Sequence, residues 1–262
     1  MNFTVDSGHL RLKSCRYGLM LYLPEDRYIG HALDTCGEFS EAEVAVFRTF
    51  IKPHWTVLDI GANHGAHTVF FAKNAKMVHA FEPQRIMHQI VCANVALNAL
   101  TNVHTYQVAV GRDAGTTYVP IVDYTLNNNF GAIAMSDTGE PVPRITIDSL
   151  NLDCQFMKID TEGMEGEVIA GAAETIKRCQ PIIYTENDHL NSAPLIKQIL
   201  ALGYRCYWHL PPYYNPQNYF GNKVPDPMWG YQISINMLCV PPGAKCTIGR
   251  RITSPDDKWD AK

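Results

Sequence analysis

Between residues 57 and 202 the chain repeats one pattern: a short apolar run, a turn, then a segment with helical spacing. Val57-Leu58-Asp59-Ile60 leads to a helix over 68–73, and Val78-His79-Ala80-Phe81 to one over 86–97. Phe156-Met157-Lys158-Ile159 leads to a helix over 164–178, and Ile182-Ile183-Tyr184 to one over 194–202. Val103 to Val110 reads as a further strand, and Tyr204 to Leu210 and Ile233 to Val240 close the series. Strands this short and apolar have no face to show to water, so both faces must be covered. Helices between them supply the crossovers that parallel strands need. The fold class that meets both demands is α/β, a mostly parallel sheet with helices on both faces.

Two stretches interrupt the rhythm. Residues 111–150 hold Gly, Asn and Thr where a crossover helix is expected, and residues 211–232 are rich in Pro and aromatics. Upstream, the alternation of Leu10 and Leu12, then of Leu19, Leu21 and Leu23, predicts short strands. A helix follows over 44–51, with Ser40 and Glu43 spaced as a capping box at its start.

Charge narrows the partners. Lys and Arg number 22 against 26 Asp and Glu, a net charge of −4, which lacks the basic excess expected of a nucleic-acid or anionic-membrane binder. The 8 cysteines include no C-x-x-C pair, so they predict free thiols in a reducing compartment rather than a zinc site or disulfide frame. No signal peptide and no run of about 20 apolar residues is present, and the expectation is a cytoplasmic, soluble protein.

The turn after the first strand is Asp59-Ile60-Gly61-Ala62-Asn63-His64-Gly65. In a doubly wound sheet, ligands bind at the carboxyl ends of the strands beside this turn. A dinucleotide fingerprint needs three glycines, the second letting the backbone approach a pyrophosphate. Here those positions are Gly61, Asn63 and Ala66, so a phosphate-free nucleoside fits better and an NAD-linked oxidoreductase is the weaker alternative. Glu82 ends the second strand, where an acid can accept both ribose hydroxyls.

At this point the chain resembles a known family. The block from Val57 to Gly65, Phe81-Glu82-Pro83, Asn94-x-x-x-Asn98 and the block from Lys158 through Asp160 and Glu162 to Glu165 are similar to the signatures of FkbM-type methyltransferases. Gly37-Glu38-Phe39-Ser40-Glu41 and Asn236 to Pro241 resemble that family's flanking segments. The resemblance implies a class I (Rossmann-like) methyltransferase with a seven-stranded sheet, S-adenosylmethionine as cofactor, and O-methylation of a hydroxyl on a sugar, glycan or natural product. It implies Asp59, Gly61, Asn63 and Gly65 as the cofactor turn, Thr68 at the helix start, Glu82 on the ribose, Gln107 and Val108 near adenine, and Asp160 facing the methionine part. Residues 1–50 then form an N-terminal extension acting as a cofactor lid, 51–241 the methyltransferase domain, 211–232 its acceptor-binding insertion, and 242–262 a tail.

Transfer to a hydroxyl requires alignment of the oxygen and removal of its proton. Strand ends offer Asp160 after the fourth strand and Glu186, Asn187 and His189 after the fifth. Asp160, Glu186 and Asn187 supply oxygen ligands of the kind Mg²⁺ takes, an arrangement similar to catechol-type O-methyltransferases. In the metal-free alternative, Asp160 bonds the cofactor's amine while Glu186 or His189 serves as base. Glu38 is a candidate to cap the pocket. Tyr213, Tyr214, Asn215, Gln217, Asn218 and Asn222 of the insertion suit a sugar-like or polycyclic acceptor, with Asn127, Asn128 and Asn129 on the opposite wall. A third possibility is a nucleoside-binding module on the same fold that has no chemistry.

Overall fold

The computed structural model describes residues 4–187, 192–223 and 230–259. Three antiparallel strands open the chain, β1 (Thr4–Asp6), β2 (Arg11–Cys15) and β3 (Gly18–Tyr22), followed by helices α1 (Ile29–Thr35) and α2 (Glu41–Phe50). Next come β4 (Thr56–Ile60), α3 (Ala66–Asn74), β5 (Met77–Phe81), α4 (Arg85–Leu97) and β6 (Val103–Tyr106). The short strands β7 (Ala109–Val110), β8 (Gly115–Val119) and β9 (Glu140–Ile145) make a separate sheet. The chain then resumes its alternation with β10 (Phe156–Ile159), α5 (Glu165–Gly171), α6 (Ala173–Cys179), β11 (Ile182–Glu186) and α7 (Ser192–Ala201). It closes with β12 (Arg205–His209), β13 (Asn236–Val240) and β14 (Arg250–Arg251).

The main sheet runs β14-β12-β13-β11-β10-β4-β5-β6. Strands β6, β5, β4, β10 and β11 pair in parallel, and β13 runs against both β11 and β12. The mostly parallel sheet expected from the sequence is therefore formed, with eight strands rather than seven. The eighth is β14, contributed by the tail, whose two arginines pair with Tyr207 and Trp208.

Side chains alternate across the sheet with a period of two. Leu58, Ile60, Met157, Ile159 and Ile183 meet Val168, Ile169, Ile176, Leu195 and Ile196 of α5, α6 and α7 on one face. Val57, Val78, Phe156 and Tyr184 meet Val44 and Phe47 of α2 and Phe70 and Phe71 of α3 on the other. Each fully buried side chain of this size contributes roughly 1.5–3 kcal/mol. Both faces are covered, as continuous apolar strands require.

Two elements differ from what the sequence predicts. The strand expected over 103–110 divides after Tyr106, because Ala109 and Val110 pair with Arg144 and Ile145 in the small sheet. The helix expected over 164–178 breaks into α5 and α6 at Ala172 (φ −114°). Just before the break the backbone of Gly111 lies where a Cβ on Gly171 would stand.

The Asn94-x-x-x-Asn98 spacing has a specific use. On α4 the two side chains lie one above the other, and they face the free edge of β3. Asn94 accepts from Leu21 N–H at 2.6 Å and donates to Leu21 O at 2.9 Å. Asn98 does the same for Leu19, at 3.0 and 2.7 Å. The pair serves as a substitute strand, satisfying backbone groups that would otherwise be buried unpaired. Asn94 also donates to His64 O at 2.8 Å, which ties the N-terminal hairpin to the turn after β4.

Candidate active site

A cavity of about 590 Å³ opens at the carboxyl ends of the parallel strands. One wall is the turn from Gly61 to Gly65. Gly61 and Ala62 donate their N–H groups to Phe81 O at 2.9 and 3.0 Å, clamping the turn to β5. Gly61 lies at φ 83°, and a Cβ there would run into the carbonyl oxygen of Asp160, so only glycine fits. Asn63 is also left-handed at φ 50°, and its Oδ1 accepts His64 N–H at 2.8 Å, the local bond that lets asparagine hold such a conformation.

Glu82 is 3% exposed and lines the cavity. Its Oε2 accepts Asn63 N–H at 2.8 Å and its Oε1 accepts Gln84 N–H at 2.9 Å. A carboxylate has about four acceptor positions, so these two bonds orient the group and leave capacity for a ligand's hydroxyls. Burial pushes its pKa up to about 7, partly opposed by those backbone bonds.

Val108 and Asp160 also line the cavity, together with Pro83, Ile133 and Met135. Four residues expected at the cofactor site stand away from the cavity wall. Gly65 caps α3 against Val91, and Gln107 precedes the lining segment Val108–Val110. Asp59 and Thr68 lie beneath the turn, where Thr68 Oγ1 donates to Asp59 Oδ2 at 2.5 Å. Both are fully buried.

Asp59 has a different neighbour of consequence. Pairing in register sets Asp59, Lys158 and Tyr184 side by side on β4, β10 and β11. Lys158 Nζ lies 3.7 Å from Asp59 Oδ1 and 3.1 Å from Asp160 Oδ2, and the residue is 4% exposed. Burial alone would lower its pKa, but Asp160, Asp59 and Glu43 outweigh burial and hold the ammonium charged. Sequence reasoning treats Lys158 only as a strand residue within a signature block. The signal of its role is a lone charge inside an otherwise apolar run.

The spacing of Ser40 and Glu43 predicts a capping box, and the structure does not form one. Ser40 stands at the N-cap without a side-chain bond to the helix's backbone N–H groups, and Glu43 turns inward to line the cavity at 5% exposure. Its Oε1 accepts from Asn236 Nδ2 at 3.2 Å. Burial, and next the negative charge of Asp160, push its pKa up to about 7. His67 lines the cavity beside it, held neutral by burial and by the nearby Lys158.

Asp160, Glu162 and Glu186 each bring one carboxylate oxygen within 4.8 Å of the others. Two residues of the expected trio are thus together, with Glu162 as the third. Asn187 is 2% exposed, does not line the cavity, and donates its N–H to Ile235 O. The donor chemistry of the three carboxylates suits a hard cation. Lys158 gives Asp160 a positive partner, which it shares with Asp59. His189 lies outside the described residues.

The outer wall comes from three distant segments. Tyr213 stacks on Phe39 at 5.9 Å and meets Tyr28 edge-on at 5.8 Å, and all three line the cavity. Gln232 of the insertion also lines the cavity, whereas Asn215, Asn218 and Asn222 turn elsewhere. Asn215 donates to Glu38 Oε1 at 2.7 Å, and Asn218 donates to Asn215 O and Asn222 O. Glu38 does not cap the pocket but anchors this loop, accepting also from Arg16 Nε and Tyr219 N–H. Asn129 lines the opposite wall, whereas Asn127 and Asn128 bond to residues 25–27.

A family model described as the methyltransferase FkbM domain matches residues 59–206. A crystal structure of methyltransferase FkbM from Methylobacillus flagellatus KT is 16% identical at TM-score 0.48, the match covering 71% of this chain and 44% of that one. This chain therefore spans less than half of that protein. A precorrin-6y C5,15-methyltransferase from Geobacter metallireducens GS-15 is 11% identical at TM-score 0.47, covering 76% and 87%. An rRNA methylase from Streptococcus thermophilus is 9% identical at TM-score 0.45, covering 76% and 94%. Identities this low say nothing of substrate. No curated protein matches the chain. The family model covers more than half of the sequence and contains the turn, Glu82 and the Lys158–Glu165 block, and on that match the chain belongs to the FkbM methyltransferase family.

Proposed function

We propose that this methyltransferase uses S-adenosylmethionine to methylate a hydroxyl of a small molecule or glycan. The observation that carries the cofactor is the buried carboxylate of Glu82, fixed by two backbone N–H groups at the cavity end of β5. In this reading Glu82 accepts the two ribose hydroxyls, Val108, Ile133 and Met135 supply an apolar slot for adenine, and Asp160 faces the amino-acid end. The cofactor supplies an activated methyl group on a sulfonium. The side chains across the cavity bind the acceptor, orient its oxygen and take its proton.

Asn63 supports this reading over an oxidoreductase. Its side chain stands where a dinucleotide's pyrophosphate needs bare backbone. A net charge of −4 and a cavity lined by Glu43, Asp160, Glu162 and Glu186 also disfavour a polyanionic acceptor such as RNA. Among the described residues no helix is long and apolar enough to cross a membrane.

Calorimetric titration with S-adenosylhomocysteine, with NAD⁺ as control, tests the reading. Micromolar binding of the first and none of the second is expected. Binding of NAD⁺ alone would overturn it, and binding of neither would favour a module without chemistry.

A further inference from the structure

Glu43 and His67 share an unusual arrangement in the cavity wall. His67 lines the cavity, and its Nε2 is enclosed and has no hydrogen-bond partner among the described residues. Glu43 Oε2 lies 3.9 Å from it. That is too long for a hydrogen bond between them. It matches the separation of two atoms that share one oxygen, since two bonds of about 2.8 Å meeting near 90° span about 4 Å. An unmet buried nitrogen carries a desolvation penalty that a bound partner would relieve.

We propose that Glu43 and His67 hold the reacting hydroxyl of the acceptor, and that Glu43 takes its proton. The inference rests on the methyltransferase reading above and adds a residue from α2, outside the segment matched by the family model. The acceptor oxygen forms a bond to the methyl carbon while the carbon–sulfur bond breaks. The electron pair of that bond returns to sulfur, neutralising the sulfonium, and the hydroxyl proton passes to the Glu43 carboxylate. Atoms and charge balance without another reactant.

The groups around Glu43 suit this role. Asn236 of β13 fixes its other oxygen, and Lys158 of β10 supplies positive charge that holds down the cost of the carboxylate. Asp160 pushes the other way and raises its proton affinity toward neutrality. Tyr184 of β11 and Tyr213 of the outer wall feel the Glu43 charge and are themselves held protonated, by burial first. Neutral His67 bears no charge that competes for the proton. Tyr28, Phe39 and Tyr213 form an aromatic wall, so the hydroxyl is expected on a ring-shaped acceptor whose flat face can stack there.

The test does not require the acceptor to be identified. Crystals of the wild-type complex with S-adenosylhomocysteine are soaked in glycerol, used as a compact triol probe. A glycerol hydroxyl within hydrogen-bond distance of both Glu43 Oε2 and His67 Nε2 is expected, and its loss from that place in Glu43→Gln. Glycerol bound elsewhere in the cavity, glycerol absent, or S-adenosylhomocysteine itself covering the pair would each overturn the inference and leave the cofactor reading intact. Failure of the wild type to bind S-adenosylhomocysteine overturns both. With any hydroxylated acceptor that turns over, the wild-type rate should rise through about pH 7, where Glu43 ionises. Glu43→Gln should lower kcat about 100-fold or more and flatten that limb, with S-adenosylhomocysteine affinity within about threefold of wild type. A wild-type rate in Glu43→Gln, or the same limb moved instead to Glu186→Gln, would give the proton to another group.

Discussion

The two walls of the cavity hold their shape by different means. The wall from Gly61 to Glu82 is backbone: two N–H groups bound to Phe81 O, left-handed residues at 61, 63 and 65, and a carboxylate oriented by two amides. The wall opposite is side chains: Glu43 from α2, His67 from α3, Lys158 from β10 and Tyr213 from the insertion. Backbone geometry tolerates substitution of most side chains around it, provided the glycine stays. A wall that holds a buried cation among carboxylates depends on that cation, because removing it leaves its partners unpaired in a low-dielectric site.

That contrast predicts a ranking of effects. Lys158→Ala strands Asp59 and Glu43 without their cation and should cost about 3–5 kcal/mol of unfolding free energy, read as a drop in the urea midpoint. A loss below about 1 kcal/mol would mean the far wall does not depend on that charge. Glu82→Ala should weaken S-adenosylhomocysteine binding by about 1.5–3 kcal/mol through the loss of charge-assisted bonds, with a smaller effect on folding. Unchanged affinity would remove Glu82 from the ribose and leave the turn as scaffold only.

The raised pKa values of Glu43 and Glu82 predict a pH dependence whose sign follows from linkage. Between the ordinary value of 4.5 and about 7 the folded protein binds protons that the unfolded chain has released, so ligand-free stability should decline as pH rises across that window. The slope is at most about 1.4 kcal/mol per pH unit for each group. Cofactor affinity should move the opposite way, improving up to about pH 7 as Glu82 ionises to accept hydroxyl donors. Thermal melts and calorimetry from about pH 5 to about pH 8 measure both; an affinity flat over that range would separate Glu82 from binding.

Asn98→Ala removes three neutral bonds behind the turn wall, two to Leu19 and one to Asn94 O, and should cost about 1–2 kcal/mol, with faster proteolysis in the β1–β3 hairpin. No change in proteolysis would mean Asn94 alone holds the hairpin. EDTA is expected to have no effect on S-adenosylhomocysteine binding, since Lys158 supplies the positive charge at Asp160. Loss of binding in chelator would instead put a cation among Asp160, Glu162 and Glu186.

The same division explains what the sequence discloses. The turn wall is made by consecutive residues at fixed spacing from a strand, so Gly61, Asn63 and Glu82 can be read from order alone. The helices and strands of 57–202 are legible for the same reason, since their periodicity is local. The far wall is not local. Glu43 comes within reach of the Asp160 charge only because α2 packs across β10, and nothing in the spacing of Ser40 and Glu43 separates a cap from a buried carboxylate. Lys158 needs the register of two strands to find Asp59. Asn215 and Asn218 look like acceptor ligands because an Asn-rich loop also needs asparagines to bond to itself. The division of residues 103–110 between two sheets depends on β9, which lies far along the chain at Glu140–Ile145.

The two-residue strand at the sheet's end has a bearing on how the molecule keeps to itself. An edge strand with unpaired N–H and C=O groups is a template on which another chain can extend the sheet. Without β14 that edge would be β12, a five-residue strand with Cys206, Tyr207 and Trp208 buried along it. Arg250 and Arg251 pair with Tyr207 and Trp208 and expose two guanidinium groups, one held by Asp257 at 2.9 Å. A strand this short and this charged offers an incoming chain too few bonds and too much charge to desolvate. Truncation before residue 250 should therefore show first as concentration-dependent association rather than as a change at the cavity.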